Sequence, residues 1–112
     1  MYGNVTVSGK DVRLKATAAT LRRYRAWFGR DLLKDFKKVQ TAFEKEEEVT
    51  EEIFELVNCL FYTMARQADS TVPENVDDWL DQFDTFPITD IAIAVVTLWA
   101  KSLEVDVELK NA

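Results

Sequence analysis

The stretch Thr50–Asp69, TEEIFELVNCLFYTMARQAD, limits the possible folds more than any other. Laid out at about 100° per residue, Ile53, Phe54, Leu56, Val57, Leu60, Phe61, Met64, Ala65 and Ala68 cover close to half of a helix. A helix lying on a protein surface needs a narrower stripe. On the opposite side stand Cys59 and Tyr62, residue types that tolerate partial burial. The segment therefore predicts a central helix with neighbours on more than one side. Thr50 is placed to cap it, and Glu51 and Glu52 fall in its first turn, where carboxylates favour the positive end of the helix dipole.

With 112 residues, 47% of them apolar, the rest of the chain can surround such a helix as one domain, 1–112, without metal or disulfide. Residues 4–15 predict a β-hairpin. Val5, Val7, Val12 and Leu14 alternate with polar residues, and Ser8-Gly9 supplies the turn. Residues 18–102 predict a compact bundle of about five helices, so the fold class is mainly α. In the first helix Leu21, Tyr24 and Phe28 share a face, with Trp27 at its edge, Thr17 or Thr20 as cap and Gly29 at the end. The second, roughly Leu32 to Glu46, is capped by Asp31 and carries Leu32, Phe36, Val39 and Phe43 as its apolar stripe. After the central helix, Pro73 marks a loop. Asn75 can then cap a short helix bearing Val76, Trp79, Leu80 and Phe83. Pro87 opens the last helix, whose broad face holds Ile91, Ala92, Val95, Leu98, Trp99 and Leu103. Ile93 and Ala100 fall off that face, and are either a second buried contact or part of a partner site. In the tail, 103–112, Leu103, Val105, Val107 and Leu109 alternate with acids, a strand pattern. It adds to the hairpin, pairs with another chain at an exposed edge, or stays loose.

Catalytic chemistry finds little purchase. The absence of histidine removes the usual general base and the commonest metal ligand. Three glycines build no phosphate loop. Cys59 lies within a helix with no histidine to activate it, so a structural role is expected. Asp77, Asp78, Asp81 and Asp84 lack the glycine and terminal glutamate of a calcium loop. No catalytic, cofactor-binding or metal-binding residue is expected, and the chain is read as a non-enzyme. One cysteine, no apolar N-terminal run and no long apolar span are read as a soluble cytosolic protein with no membrane partner.

Charge is uneven. Residues 1–45 carry a net +7 and residues 46–112 a net −13. The halves can neutralise each other within one fold, join copies head to tail into a homo-oligomer, or mark a nucleic-acid face. Arg22, Arg23, Arg25 and Arg30 form the candidate basic face for self-association. Together with Arg13 and Lys15 they also motivate an alternative function, a small helical nucleic-acid-binding or regulatory protein.

Two long segments carry a resemblance. ATAATLRRYRAWFGRDLLKDF, following VTVSGKDVRLK, is similar to the opening of tail assembly chaperones of long-tailed (siphovirus-type) phages and prophages. LVNCLFYTMARQADSTVPENVDDWLDQFD, followed by FPITDIAIAVVTLWA, resembles the remainder. The similarity runs from about Val5 to about Trp99, with RYR-x-x-FGRDL, MA-x-QAD and D-x-WLDQF as its sharper parts. It implies a mostly helical protein acting in the host cytoplasm and absent from the finished virion. Such a chaperone binds the tape measure protein, keeps it soluble and promotes assembly of the tail tube protein around it. A longer frameshifted product is common in the family. The partner surface is expected at Ile93, Leu103, Val105, Val107 and Leu109. The alternative for these residues is completion of the monomer core. A structural tail subunit is a third class, distinguished by its presence in purified particles.

Overall fold

The computed structural model describes residues 1–103. They form an antiparallel hairpin, β1 (Tyr2–Val7) and β2 (Lys10–Lys15), followed by α1 (Thr20–Phe28), α2 (Leu32–Glu44), α3 (Glu51–Ala68), α4 (Val76–Leu80) and α5 (Ile88–Leu103). The hairpin begins two residues earlier than the apolar alternation predicts. Its register pairs Val5 with Val12 and Gly3 with Leu14, and the turn residues Ser8 and Gly9 both have positive φ, at 54° and 76°. Two left-handed turn residues match the right-handed twist of the flanking strands. Period-two alternation then sends Val7 and Leu14 into the core and leaves Tyr2, Asn4, Thr6, Asp11 and Arg13 exposed. A Cβ at Gly3 would stand 3.3 Å from a methyl of Leu98, so the bare glycine lets β1 lie close on α5.

α3 is the axis of the molecule. Leu56 through Ala65 are buried without a break, so the helix is enclosed on all sides along three turns. It packs against β2, α1, α2 and α5. Cys59 and Tyr62 are as deeply buried as the apolar face, while Phe54, assigned to that face by its spacing, is 40% exposed. The polar groups enclosed with it are mostly paired. Thr63 donates to the Cys59 carbonyl (2.8 Å), and the Tyr62 hydroxyl donates to the Pro73 carbonyl (2.6 Å) and accepts from Arg66 (2.9 Å).

Helix ends follow the expected chemistry at four points. Thr50, Asp31 and Asn75 accept backbone N–H bonds from Ile53, Leu33 and Asp78 respectively, and Gly29 closes α1 in the left-handed conformation at φ 66°. The start of α1 differs. Its capping position is Ala19, with no side-chain cap. The two candidate threonines also reach α3: Thr20 donates to Gln67 (2.7 Å), and Gln67 donates to Thr17 (2.8 Å). Local bonds persist beside these, since the Ala19 N–H donates to the Thr17 hydroxyl (3.1 Å) and the Thr17 N–H to the Thr20 hydroxyl (2.9 Å). The buried stripe of α2 is also shifted, to Leu32, Asp35, Val39 and Ala42, with Phe36 and Phe43 only partly buried. At the far end, Leu103 is the last helical residue of α5 and not the start of a strand. The remaining strand-like positions lie outside the described residues.

Candidate functional site

α5 has two apolar faces. One, made by Ile91, Ala92, Val95, Leu98 and Trp99, is buried against the rest of the fold. The second runs through Ile93, Val96, Ala100 and Leu103. Spacings of three, four and three place these residues in one stripe, about 120° round the helix from the first. Ile93 is 56% exposed and Leu103 50%, with Val96 and Ala100 partly buried between them. Ile93 and Leu103 thus stand outside the buried core formed by the described residues. Val105, Val107 and Leu109 lie outside the described residues.

A shallow groove of about 200 Å³ lies beside the first half of this stripe, at Ile93 and Val96. Phe43 and Gln40 of α2 form one wall, and Ala92, Ile93, Val96 and Thr97 of α5 form the other. Its size and lining suit side chains of a docked helix better than a cofactor, whose pockets run to about 300–1,000 Å³. Val96 and Phe43 were not foreseen as part of the surface. Val96 was legible at three residues from Ile93. Phe43 was not, because its spacing also fits the core stripe of α2.

The arginines separate into two groups. Arg22, Arg23 and Arg25 are exposed on α1 and make no ion pair among the described residues, although Arg23 lies over the Trp27 ring at 5.9 Å. Arg30 turns inward and holds Asp35 with both arms of its guanidinium, at 2.6 and 3.0 Å. Asp35 is only 2% exposed, and the Tyr24 hydroxyl donates to it at 2.7 Å. Burial by itself would raise this carboxyl. The bonds from Arg30 and Tyr24 outweigh it and hold the group below its ordinary value. Burial and the same bond push the Tyr24 hydroxyl well above its usual range. Arg13 and Lys15 lie on β2, both against the face of Tyr2, at 4.1 and 5.4 Å.

Cys59 is buried, with its Sγ 3.6 Å from Glu55. Burial and the neighbouring carboxylate push the thiol up to about 12, so it stays protonated and unreactive near neutral pH. Among the described residues no three metal-ligating side chains cluster, and no helix is long and apolar enough to cross a membrane. A wider cleft, about 510 Å³, lies between α2 and the start of α3. Lys34, Lys37 and Lys38 face Glu47, Glu48 and Glu52 across it, and Lys38 and Glu52 approach to 3.5 Å. Mixed charge of this kind is a solvated surface pairing.

No known family, curated protein or solved structure matches this chain. The exposed stripe on α5, with the groove beside it, is accordingly the feature on which a functional reading rests.

Proposed function

We propose that this protein is a tail assembly chaperone of a long-tailed phage or prophage. It binds the tape measure protein, keeps it soluble and promotes assembly of tail tube protein around it. It acts in the host cytoplasm without catalysis and leaves before the virion is complete. The observation that supports this most directly is the α5 stripe. Ile93, Val96, Ala100 and Leu103 repeat at the spacing with which one helix packs along another, with Ile93 and Leu103 exposed and Val96 and Ala100 partly so. A long helical client would meet a helix-sized apolar surface bordered by polar residues. The resemblance of ATAATLRRYRAWFGRDLLKDF and FPITDIAIAVVTLWA to that family supplies the identity of the client.

Co-expression with the long helical tape measure protein tests this. The client should remain soluble and copurify with the chain, and Ile93→Asp should abolish both effects. A client that aggregates equally with and without the chain overturns the proposal. The exposed Arg22, Arg23 and Arg25 favour a second reading, nucleic-acid binding. That binding would weaken steeply with salt and require those arginines.

A further inference from the structure

The hairpin has two edges, and they are protected unequally. Met1 and Ala16 exchange both backbone hydrogen bonds, at 2.9 and 3.1 Å. Antiparallel pairs alternate between exchanging and not exchanging such bonds, so the register makes Gly3–Leu14, Val5–Val12 and Val7–Lys10 the bonded pairs. The N–H and C=O groups of Tyr2, Asn4 and Thr6 therefore point away from β2. They have no backbone partner among the described residues, and all three residues are exposed. α5 lies under the sheet at this point and not beside β1, because a Cβ on Gly3 would point at Leu98. At the other edge β2 turns out the backbone of Asp11, Arg13 and Lys15. That edge has the usual protection against pairing with other chains. β2 (KDVRLK) carries four charged residues, and Lys10, Asp11 and Arg13 share a cleft with Asp69, Gln82 and Phe83. β1 (YGNVTV) has six residues with no charge and no proline, and its register has no bulge.

We propose that the open edge of β1 pairs antiparallel with β1 of a second copy of this chain, across a two-fold axis at Asn4. Two hairpins then form one continuous sheet. The outward groups set the register. Asn4 meets Asn4 of the second copy and Tyr2 meets its Thr6, so each pair exchanges both backbone bonds and no outward group is left over. The side chains suit that register. On the outer face Tyr2 stands opposite Thr6 of the second copy, an aromatic beside a β-branched residue. Arg13 and Lys15 already hold the Tyr2 ring, at 4.1 and 5.4 Å, which limits the freedom lost on pairing. On the inner face Val5, only partly buried in one copy, stands opposite Gly3 of the other, which leaves room for it. No charge on β1 meets a like charge, whereas two β2 edges paired in the same way would set Arg13 against Arg13. The contact is isologous and uses up both open edges, so it stops at a dimer. It uses neither the α5 stripe nor the arginines of α1.

Sedimentation equilibrium of the full chain should show a monomer–dimer transition with concentration and no larger species. The dimer should persist at about 1 M salt, because backbone bonds and not exposed charges hold it. Amide hydrogen exchange reads the edge directly. Exchange at Tyr2, Asn4 and Thr6 should slow about tenfold when about nine in ten chains are dimeric, since it then proceeds through the remaining monomer. Gly3, Val5 and Val7, already bonded to β2, should exchange slowly at every concentration. Asn4→Lys puts like charges at the axis and should give a folded monomer, whereas Arg13→Gln, at the paired position of β2, should leave the dimer intact. Asn4→Cys should form an intermolecular disulfide under mild oxidation, since bonded antiparallel pairs bring Cα atoms to about 5.5 Å. Thr6→Cys, opposite Tyr2, should not. A monomer at every concentration overturns the proposal. So do slowed amides at Asp11, Arg13 and Lys15, which would mark the β2 edge. Slowed amides at Tyr2, Asn4 and Thr6 in a monomer overturn it as well, because residues 104–112 of the same chain would then fill the edge. Oligomers that dissociate at about 1 M salt would be held by charge, and they too overturn it. None of these failures touches the co-expression result expected for α5.

Discussion

Removing the guanidinium of Arg30 would leave the Asp35 carboxylate enclosed with only the Tyr24 hydroxyl as partner. Breaking one side of such a pair costs about 3 kcal/mol, reduced here toward about 2 because Arg30 itself is half in water. Arg30→Ala should therefore lower the urea-unfolding free energy by about 2–3 kcal/mol, against less than about 0.5 for Arg22→Ala on the open face of α1. Equal losses at the two positions would show that the ion pair contributes nothing. The same carboxylate sets a pH dependence. Its folded-state value lies below the ordinary one, so its contribution is present above the unfolded value of about 3.9 and is lost as pH falls through the folded value. Unfolding midpoints of the parent and Asp35→Asn should differ at pH 7 and converge as the pH falls below about 4. Parallel curves across that range would place the acid lability elsewhere.

At the scale of elements, α3 and α5 respond in opposite ways to substitution. Leu60 lies 1% exposed in the enclosed middle of α3. Leu60→Ala should cost about 2–5 kcal/mol, because neighbours on every side hold the cavity open. Leu103→Asp on the outer stripe of α5 should change thermal stability by less than about 0.5 kcal/mol and still reduce client binding. Circular dichroism melts alongside copurification separate the two effects. A large loss of stability at Leu103 would mean that the outer stripe belongs to the fold. Trp99 occupies the inner face of α5 with an indole N–H that has no partner among the described residues. The structure offers no physical account of that unpaired donor.

For the whole molecule, the positive first half and negative second half do not cancel completely inside the fold. Arg30–Asp35 joins two residues of the positive half, and Lys38–Glu52 and Arg66–Glu74 are the other ion pairs among the described residues. Only Lys38–Glu52 spans the halves, so much of the asymmetry faces solvent. If the opposite halves join copies head to tail, sedimentation should show oligomers at low salt that dissociate near about 1 M salt, where the screening length is about 3 Å. The triple substitution of Arg22, Arg23 and Arg25 by Glu should dissociate them at low salt as well. A single sedimenting species of unchanged mass at both salt concentrations would rule out head-to-tail association through these charges.

The sequence by itself determined what is local or periodic. The hairpin turn at Ser8-Gly9, the caps Asp31, Thr50 and Asn75, the glycine stop at Gly29 and the mainly helical class all follow from short-range chemistry that tertiary packing did not override. The central place of α3 was legible from an apolar face too wide for a surface helix. The candidate site was half legible: Ile93 stood off the main face of α5, but whether it met another element or solvent depended on where α2 lay. Only the tertiary structure decided that. It likewise tied Thr17 and Thr20 to Gln67 of α3, drew Asp35 inside beside Arg30 and Tyr24, and set Asn58 among phenylalanines from α3 and the α4–α5 connection. Each outcome joins groups distant in the chain or on separate elements. Its energy comes from mutual desolvation and pairing, which no residue's own neighbours can report.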